Sequence, residues 1–317
     1  MNELVQQEAQ HVDVGEIFEN LGVVVESRIS AVQNVADNTV VTLVPPSIDG
    51  DILTNEETIE DFVEDTTTLP EKKIDFNLET VGTNEVTSRF SGAPWFKAVQ
   101  EEIVILAGIG GIGSFVAFLL SRVNVKNLIL FDDDTVESAN LSGQLYGKSH
   151  IGKTKVNAMS AIAKDFSAYE AVTVMNELYN SLSMNGPIMI CGFDSIHSRE
   201  IFFNRWLAYV NGENVNRSEC LFIDGRLAME DFQIFCIQGD DEYSINEYRS
   251  KYLFPSWQAE PTICSEKQTS FCANMIASFM VNLFINAIFN MSTKNAFKRR
   301  LPFFTYYDAK IMALIQK

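Results

Sequence analysis

The stretch IVILAGIGGIGS, residues 103–114, decides the fold. Ile103 to Ala107 is an uninterrupted apolar run, the signature of a strand buried on both faces. It is closed by Gly108, Gly110, Gly111 and Gly113. From Ser114 to Val123 the apolar residues recur at helical spacing. Strand, glycine loop and helix in that order form the context a nucleotide-binding loop requires. Glycines permit a tight turn and close approach of backbone to phosphate, and the free N–H groups of the helix start favour negative charge.

Outward from the loop, strand and helix patterns alternate. Strands are expected at 128–131, 171–175, 188–191, 221–223 and 232–237, and shorter ones at 303–307 and 311–315. Helices are expected at 153–166 and 199–210, with one long apolar helix over 267–290. The fold class is therefore α/β, a Rossmann-like, mostly parallel sheet with helices on both faces, plus a small acidic N-terminal region.

That region differs in composition. Residues 1–100 carry 19 acidic and 5 basic side chains, whereas residues 101–317 carry 23 and 19. Val23 to Val25 and Thr39 to Val44 read as short strands and 55–64 as a helix. The division expected is 1–85, an acidic region of unassigned role, and 86–317, the nucleotide-binding domain.

Composition limits function. The 317 residues carry a formal net charge of -18, which repels nucleic acid in the absence of a basic patch. Neither a secretory signal nor a continuous apolar membrane span is legible, so a cytoplasmic protein without membrane association is expected. Five cysteines form no CxxC pair, which leaves no ready zinc site.

The second strand ends in Asp132-Asp133-Asp134. An acid at a strand end about twenty residues beyond the glycines commonly accepts ribose hydroxyls, and Asp132 is so placed. A nicotinamide-dependent oxidoreductase would use the same feature, so it does not choose a chemistry.

Four segments in order, GIGGIGS, FDDDTVESANLSGQ, GKTK and CGFDSIHSR, resemble the ThiF/MoeB/HesA superfamily, the ubiquitin-activating-type adenylyltransferases. The resemblance covers about residues 86–317. It implies an enzyme that binds ATP and Mg²⁺ and joins AMP to the C-terminal carboxylate of a small ubiquitin-like protein or peptide. By the same resemblance the cofactor-binding set is Gly108, Gly110, Gly111, Gly113, Ser114, Asp132, Asn140, Gln144 and Lys155. Asp194 holds the metal and positions the reacting carboxylate. Arg89 reaches a partner subunit's nucleotide in a homodimer. Asp194, Lys155 and Arg89 are the implied catalytic residues.

Carboxylate attack on an α-phosphorus brings two anions together and needs cations, not a base. The scarcity of histidine, three in the chain, suits it. Two departures stand out. Gly143 occupies the place of a usual arginine, for which Lys148, Arg122 or a partner residue are candidate substitutes, and the zinc cysteine pairs are missing. Asp224 and Arg226 either line a substrate channel or pair internally. Two further readings stay open: a ThiF-like interaction subunit that binds nucleotide without turnover, and a NAD-dependent oxidoreductase.

Overall fold

The computed structural model describes residues 83–253, 268–293 and 297–317. All of them fall within one compact unit, Ile74–Lys317. The strands and helix expected before residue 65, and Cys264, lie outside the described residues.

A single sheet runs β3-β2-β1-β4-β5-β6-β7-β8 in space. Its strands are β1 (Ile103–Ala107), β2 (Asn127–Phe131), β3 (Val172–Met175), β4 (Ile188–Cys191), β5 (Leu221–Ala228), β6 (Asp231–Gln238), β7 (Phe304–Asp308) and β8 (Ala313–Gln316). From β3 to β5 every pairing is parallel, and from β5 to β8 every pairing is antiparallel. The helices are α1 (Thr83–Val86), α2 (Phe96–Val99), α3 (Gly111–Arg122), α4 (Lys155–Ser167), α5 (Ile196–Val210), α6 (Glu242–Glu247) and α7 (Ser270–Ser292).

Side chains alternate across the central strands, and both faces are apolar because both are covered. Val104 and Leu106 face a core shared with α3, α4 and α7. Ile105 and Ala107 face a second core, filled by Phe202, Phe203 and Trp206 of α5 and by Tyr248. Each such large side chain, fully buried, contributes about 1.5–3 kcal/mol. The Trp206 indole N–H is satisfied by the Pro187 carbonyl at 3.1 Å.

α7 is long and apolar enough by composition to cross a bilayer, with a mean hydropathy of 1.7 over its most apolar window. Here 56% of that window is buried, because α7 lies along α3 and against β5, β6 and α2. Cys272, Ile276, Met280, Phe284 and Ile288 form its inner stripe. Leu283 and Phe284 are buried, whereas Phe271 is exposed.

Boundaries moved where local chemistry outweighed propensity. α3 starts at Gly111, inside the glycine loop, rather than at Ser114. α5 starts at Ile196, because the Ser195 hydroxyl caps it by accepting from Ser198 N at 3.3 Å. β5 continues through charged residues to Ala228, five beyond its expected end.

Candidate nucleotide-binding site

β1 and β4 are parallel neighbours, yet the chain leaving β1 enters α3 on one face and the chain leaving β4 enters α5 on the other. Such a reversal opens a crevice beyond the carboxyl ends of the strands. The glycine loop and the Gly192–Asp194 turn lie there.

The loop closes on itself by backbone contact. Gly108 has φ +82°. A Cβ on Gly113 would lie 1.8 Å from the Gly108 carbonyl oxygen. Gly110 caps α3, so the first N–H groups of the helix lack intrahelical acceptors and offer themselves to an anion. Two residues from the following segment clamp the loop: the Tyr146 hydroxyl donates to the Ile109 carbonyl at 2.6 Å, and Leu145 N donates to Ser114 Oγ at 3.0 Å. Ser114 is fully buried and its hydroxyl also donates to the Gly111 carbonyl, so it braces the loop.

Asp132 follows β2 with both carboxylate oxygens engaged. Oδ2 accepts from Ile109 N at 2.7 Å and Oδ1 from Asp134 N at 2.9 Å. Burial raises its pKa; the Lys155 ammonium and these two backbone donors offset part of that rise. Lys155, the buried first residue of α4, places Nζ 2.6 Å from Asp134 Oδ2 and 3.8 Å from Asp132 Oδ1. Carboxylate oxygens of Asp132, Asp133 and Asp134 lie within 4.8 Å of one another. The ammonium already neutralises two of them, which leaves little for a cation there.

Asn140 sits in the 3₁₀ turn Ser138–Ser142, its Oδ1 accepting from Glu137 N at 2.8 Å. Gln144 points its Nε2 to within 3.9 Å of where a Gly110 Cβ would be. Its Oε1 is buried without a partner. Free N–H groups at the start of α3 and the buried Lys155 make a donor set suited to a phosphate-bearing ligand.

Asp194 is exposed in the turn after β4, where its carboxylate faces solvent and is available to a metal. The turn is fixed from below. The Arg199 guanidinium donates to the Phe193 carbonyl, pairs with Asp224, and reaches the Gly225 carbonyl at 2.9 Å. Asp224 Oδ2 also accepts from Arg226 Nε and from the Tyr248 hydroxyl, each at 2.9 Å. Burial alone would raise the Asp224 carboxyl; Arg199 and Arg226 outweigh it and hold the group below the ordinary carboxylate range. Asp224 is fully buried and forms an internal ion cluster, not a channel wall.

The structure does not bring every expected residue to the loop. Arg89, expected at a neighbouring subunit's site, is exposed between α1 and α2. Arg122 is the last residue of α3 and stacks on Phe118 at 5.0 Å, at the wrong end of the helix to replace a cation at Gly143. Lys148 is exposed, and His150 Nδ1 accepts from Gly147 N at 2.9 Å. Cys191, Cys220, Cys236 and Cys272 are buried, and burial pushes all four thiols up, Cys220 to about 11 and Cys236 to about 12. None has the lowered pKa a thioester-forming thiol needs. Two clefts, of about 310 and about 330 Å³, lie elsewhere; neither is lined by a loop residue.

One residue absent from the sequence reading does stand at the loop. Gln268 Nε2 donates to the Gly143 carbonyl at 3.4 Å. No motif surrounds it in the sequence; only the fold joins positions so far apart.

A model of the ThiF family matches residues 84–314. The Caenorhabditis elegans protein named ubiquitin-like modifier-activating enzyme 5 is 36% identical over 85 residues, which span 27% of this chain and 19% of that enzyme. The chain thus matches about a fifth of the length of this curated relative. Among solved structures, PaaA superposes with a TM-score of 0.57 at 15% identity, covering 78% of this chain and 77% of PaaA. Escherichia coli MccB with ATP gives 0.52 at 14% identity, covering 71% of this chain and 65% of MccB.

Proposed function

The chain belongs to the ThiF family, and from that membership we propose that it is an ATP- and Mg²⁺-dependent adenylyltransferase. Its acceptor on this reading is the C-terminal carboxylate of a small ubiquitin-like protein or peptide. The observation that carries the reading is the phosphate end of the crevice: free N–H groups at the start of α3 beside the buried Lys155 ammonium. MccB accommodates ATP on a similar fold, and the name of the C. elegans relative supports the acceptor class.

In the proposed reaction an acceptor carboxylate oxygen attacks the α-phosphorus. The α–β bridging bond breaks, pyrophosphate leaves, and a mixed anhydride of carboxylate and AMP forms. The loop N–H groups bind phosphate oxygens and stabilise their growing charge. Lys155 exchanges its bond to Asp134 for the phosphates. Asp194 holds Mg²⁺, which supplies positive charge to the phosphates when bound. An ionised carboxylate needs no base, so this chemistry asks for no histidine at the loop. A two-fold homodimer, in which exposed Arg89 completes the neighbour's site, belongs to the same reading.

Calorimetry with ATP, GTP and NAD, followed by incubation of copurifying small proteins with Mg²⁺ and α-labelled ATP, tests it. ATP should bind tightest, and label should pass to a carboxyl terminus. Tighter binding of NAD would overturn the proposal in favour of an oxidoreductase. Firm ATP binding without transfer or pyrophosphate exchange would favour an interaction subunit, a reading supported by glycine at 143 in place of the usual arginine.

A further inference from the structure

Gln268 lies just before α7 and forms an isolated parallel bridge with Met229, at the end of β5. Its side chain crosses to two glycines from distant parts of the chain. A Cβ on Gly111 would lie 1.8 Å from Gln268 Oε1, and one on Gly143 would lie 2.7 Å from its Nε2. The carboxamide fills space that two side chains would otherwise claim.

That space adjoins the anion end of α3. Gly111 is the first helical residue, and Cβ vectors tilt toward a helix N-terminus. A group lodged against the Gly111 Cβ position therefore stands at the rim of the turn whose N–H groups are free. Gln144 reaches the same turn beside Gly110, and its buried Oε1 has no partner. Two carboxamides thus flank one helix start. Nε2 of Gln268 carries two hydrogens; one is directed to the Gly143 carbonyl over a long 3.4 Å, and the other remains to be given.

We propose that Gln268 is a phosphate-contacting residue of the nucleotide site, held by the Gly143 carbonyl through one amide hydrogen and donating the other to a phosphate oxygen at the start of α3. The inference rests on the ATP reading above. It assigns the glycine at 143 a purpose: any larger residue would displace the carboxamide. A neutral amide takes the place of a cation, and holding the phosphates falls to hydrogen-bond geometry.

The test is calorimetry on the full chain with ATP and with adenosine. Gln268→Ala should weaken ATP about tenfold and leave adenosine within about twofold, because adenosine lacks the group contacted. Gln268→Glu, which keeps the shape but brings an anion to the phosphates, should weaken ATP further. Gly143→Ala should also weaken ATP, and the double variant with Gln268→Ala should be no weaker than Gln268→Ala alone, since both remove one contact. Unchanged ATP affinity in Gln268→Ala overturns the inference while sparing the ATP reading. Equal losses for ATP and adenosine overturn it too, and make Gln268 a structural clamp. Failure of the unmodified protein to bind ATP overturns both.

Discussion

Gly108 and Gly192 meet backbone to backbone: a Cβ on Gly192 would stand 2.5 Å from the Gly108 carbonyl oxygen, and one on Gly108 would stand 2.7 Å from the Gly192 carbonyl carbon. The phosphate loop and the turn carrying Asp194 are therefore one rigid piece. Gly192→Ala must push them apart, and backbone yields less readily than a side-chain tip. Overpacking of this kind costs about 1–3 kcal/mol. Gly92→Ala, where nothing lies within 4 Å, should stay within about 0.5 kcal/mol of the parent. Urea unfolding of the two variants checks the contrast, and ATP affinity should fall in the first alone.

Asp194→Asn should keep the fold, because the side chain is exposed. Nucleotide binding should stay within about tenfold. The chemical step, followed as ATP–pyrophosphate exchange with the acceptor present, should slow by about 10²–10³-fold, the usual loss on deleting a transition-state electrostatic contact. An unaltered exchange rate would leave Asp194 as a turn residue only.

The apo protein pays for Asp132. Its raised pKa, caused first by burial, means that the ionised form is disfavoured in the folded state. The folded protein thus gains relative stability as pH falls through the raised value toward the unfolded value near 3.9. Asp132→Asn should accordingly gain less stability than the parent, without nucleotide, as pH falls from 7 to 4, and should weaken ATP. A variant that gained as much as the parent on acidification would contradict this account.

Asp224 has the opposite sign. Its depressed pKa reflects burial outweighed by Arg199 and Arg226, so its contribution is complete above the unfolded carboxylate value and is lost as pH falls through the lower folded one. Asp224→Ala leaves two guanidiniums beneath the site and should cost about 3–5 kcal/mol. Thermal unfolding across pH 3–7 should show the difference from the parent collapsing below about pH 4. A difference that persisted there would point to packing instead of charge.

The sheet's parallel half was legible because each strand is a short apolar run bounded by glycine or charge; the bounds of β1 and β4 were read to the residue. β5 was read short because Asp224-Gly225-Arg226 looks like a surface turn. Only the paired guanidiniums make a buried aspartate tolerable there. The start of α3 was misplaced because glycine resists helix on propensity alone, and burial against the sheet overrode it. Asp132, Lys155 and the glycines were visible as motif. Asp134 as the partner of Lys155 was not, since adjacent acids read alike. Gln268 carried no signal at all: an amide before an apolar helix is ordinary until Gly111 and Gly143 arrive beside it.

The lid over α3 is made late. α3 ends at Arg122, and α7, which covers it, begins at Ser270. At synthesis rates of about 5–20 residues per second, α3 waits on the order of ten seconds for that cover. Throughout the wait Ile112, Val116 and Leu120, all buried in the finished molecule, lack their roof. The nascent chain should therefore be captured by holding chaperones until residues 270–292 leave the ribosome. A message truncated before codon 270 would yield a protein that keeps every glycine of the loop and still aggregates.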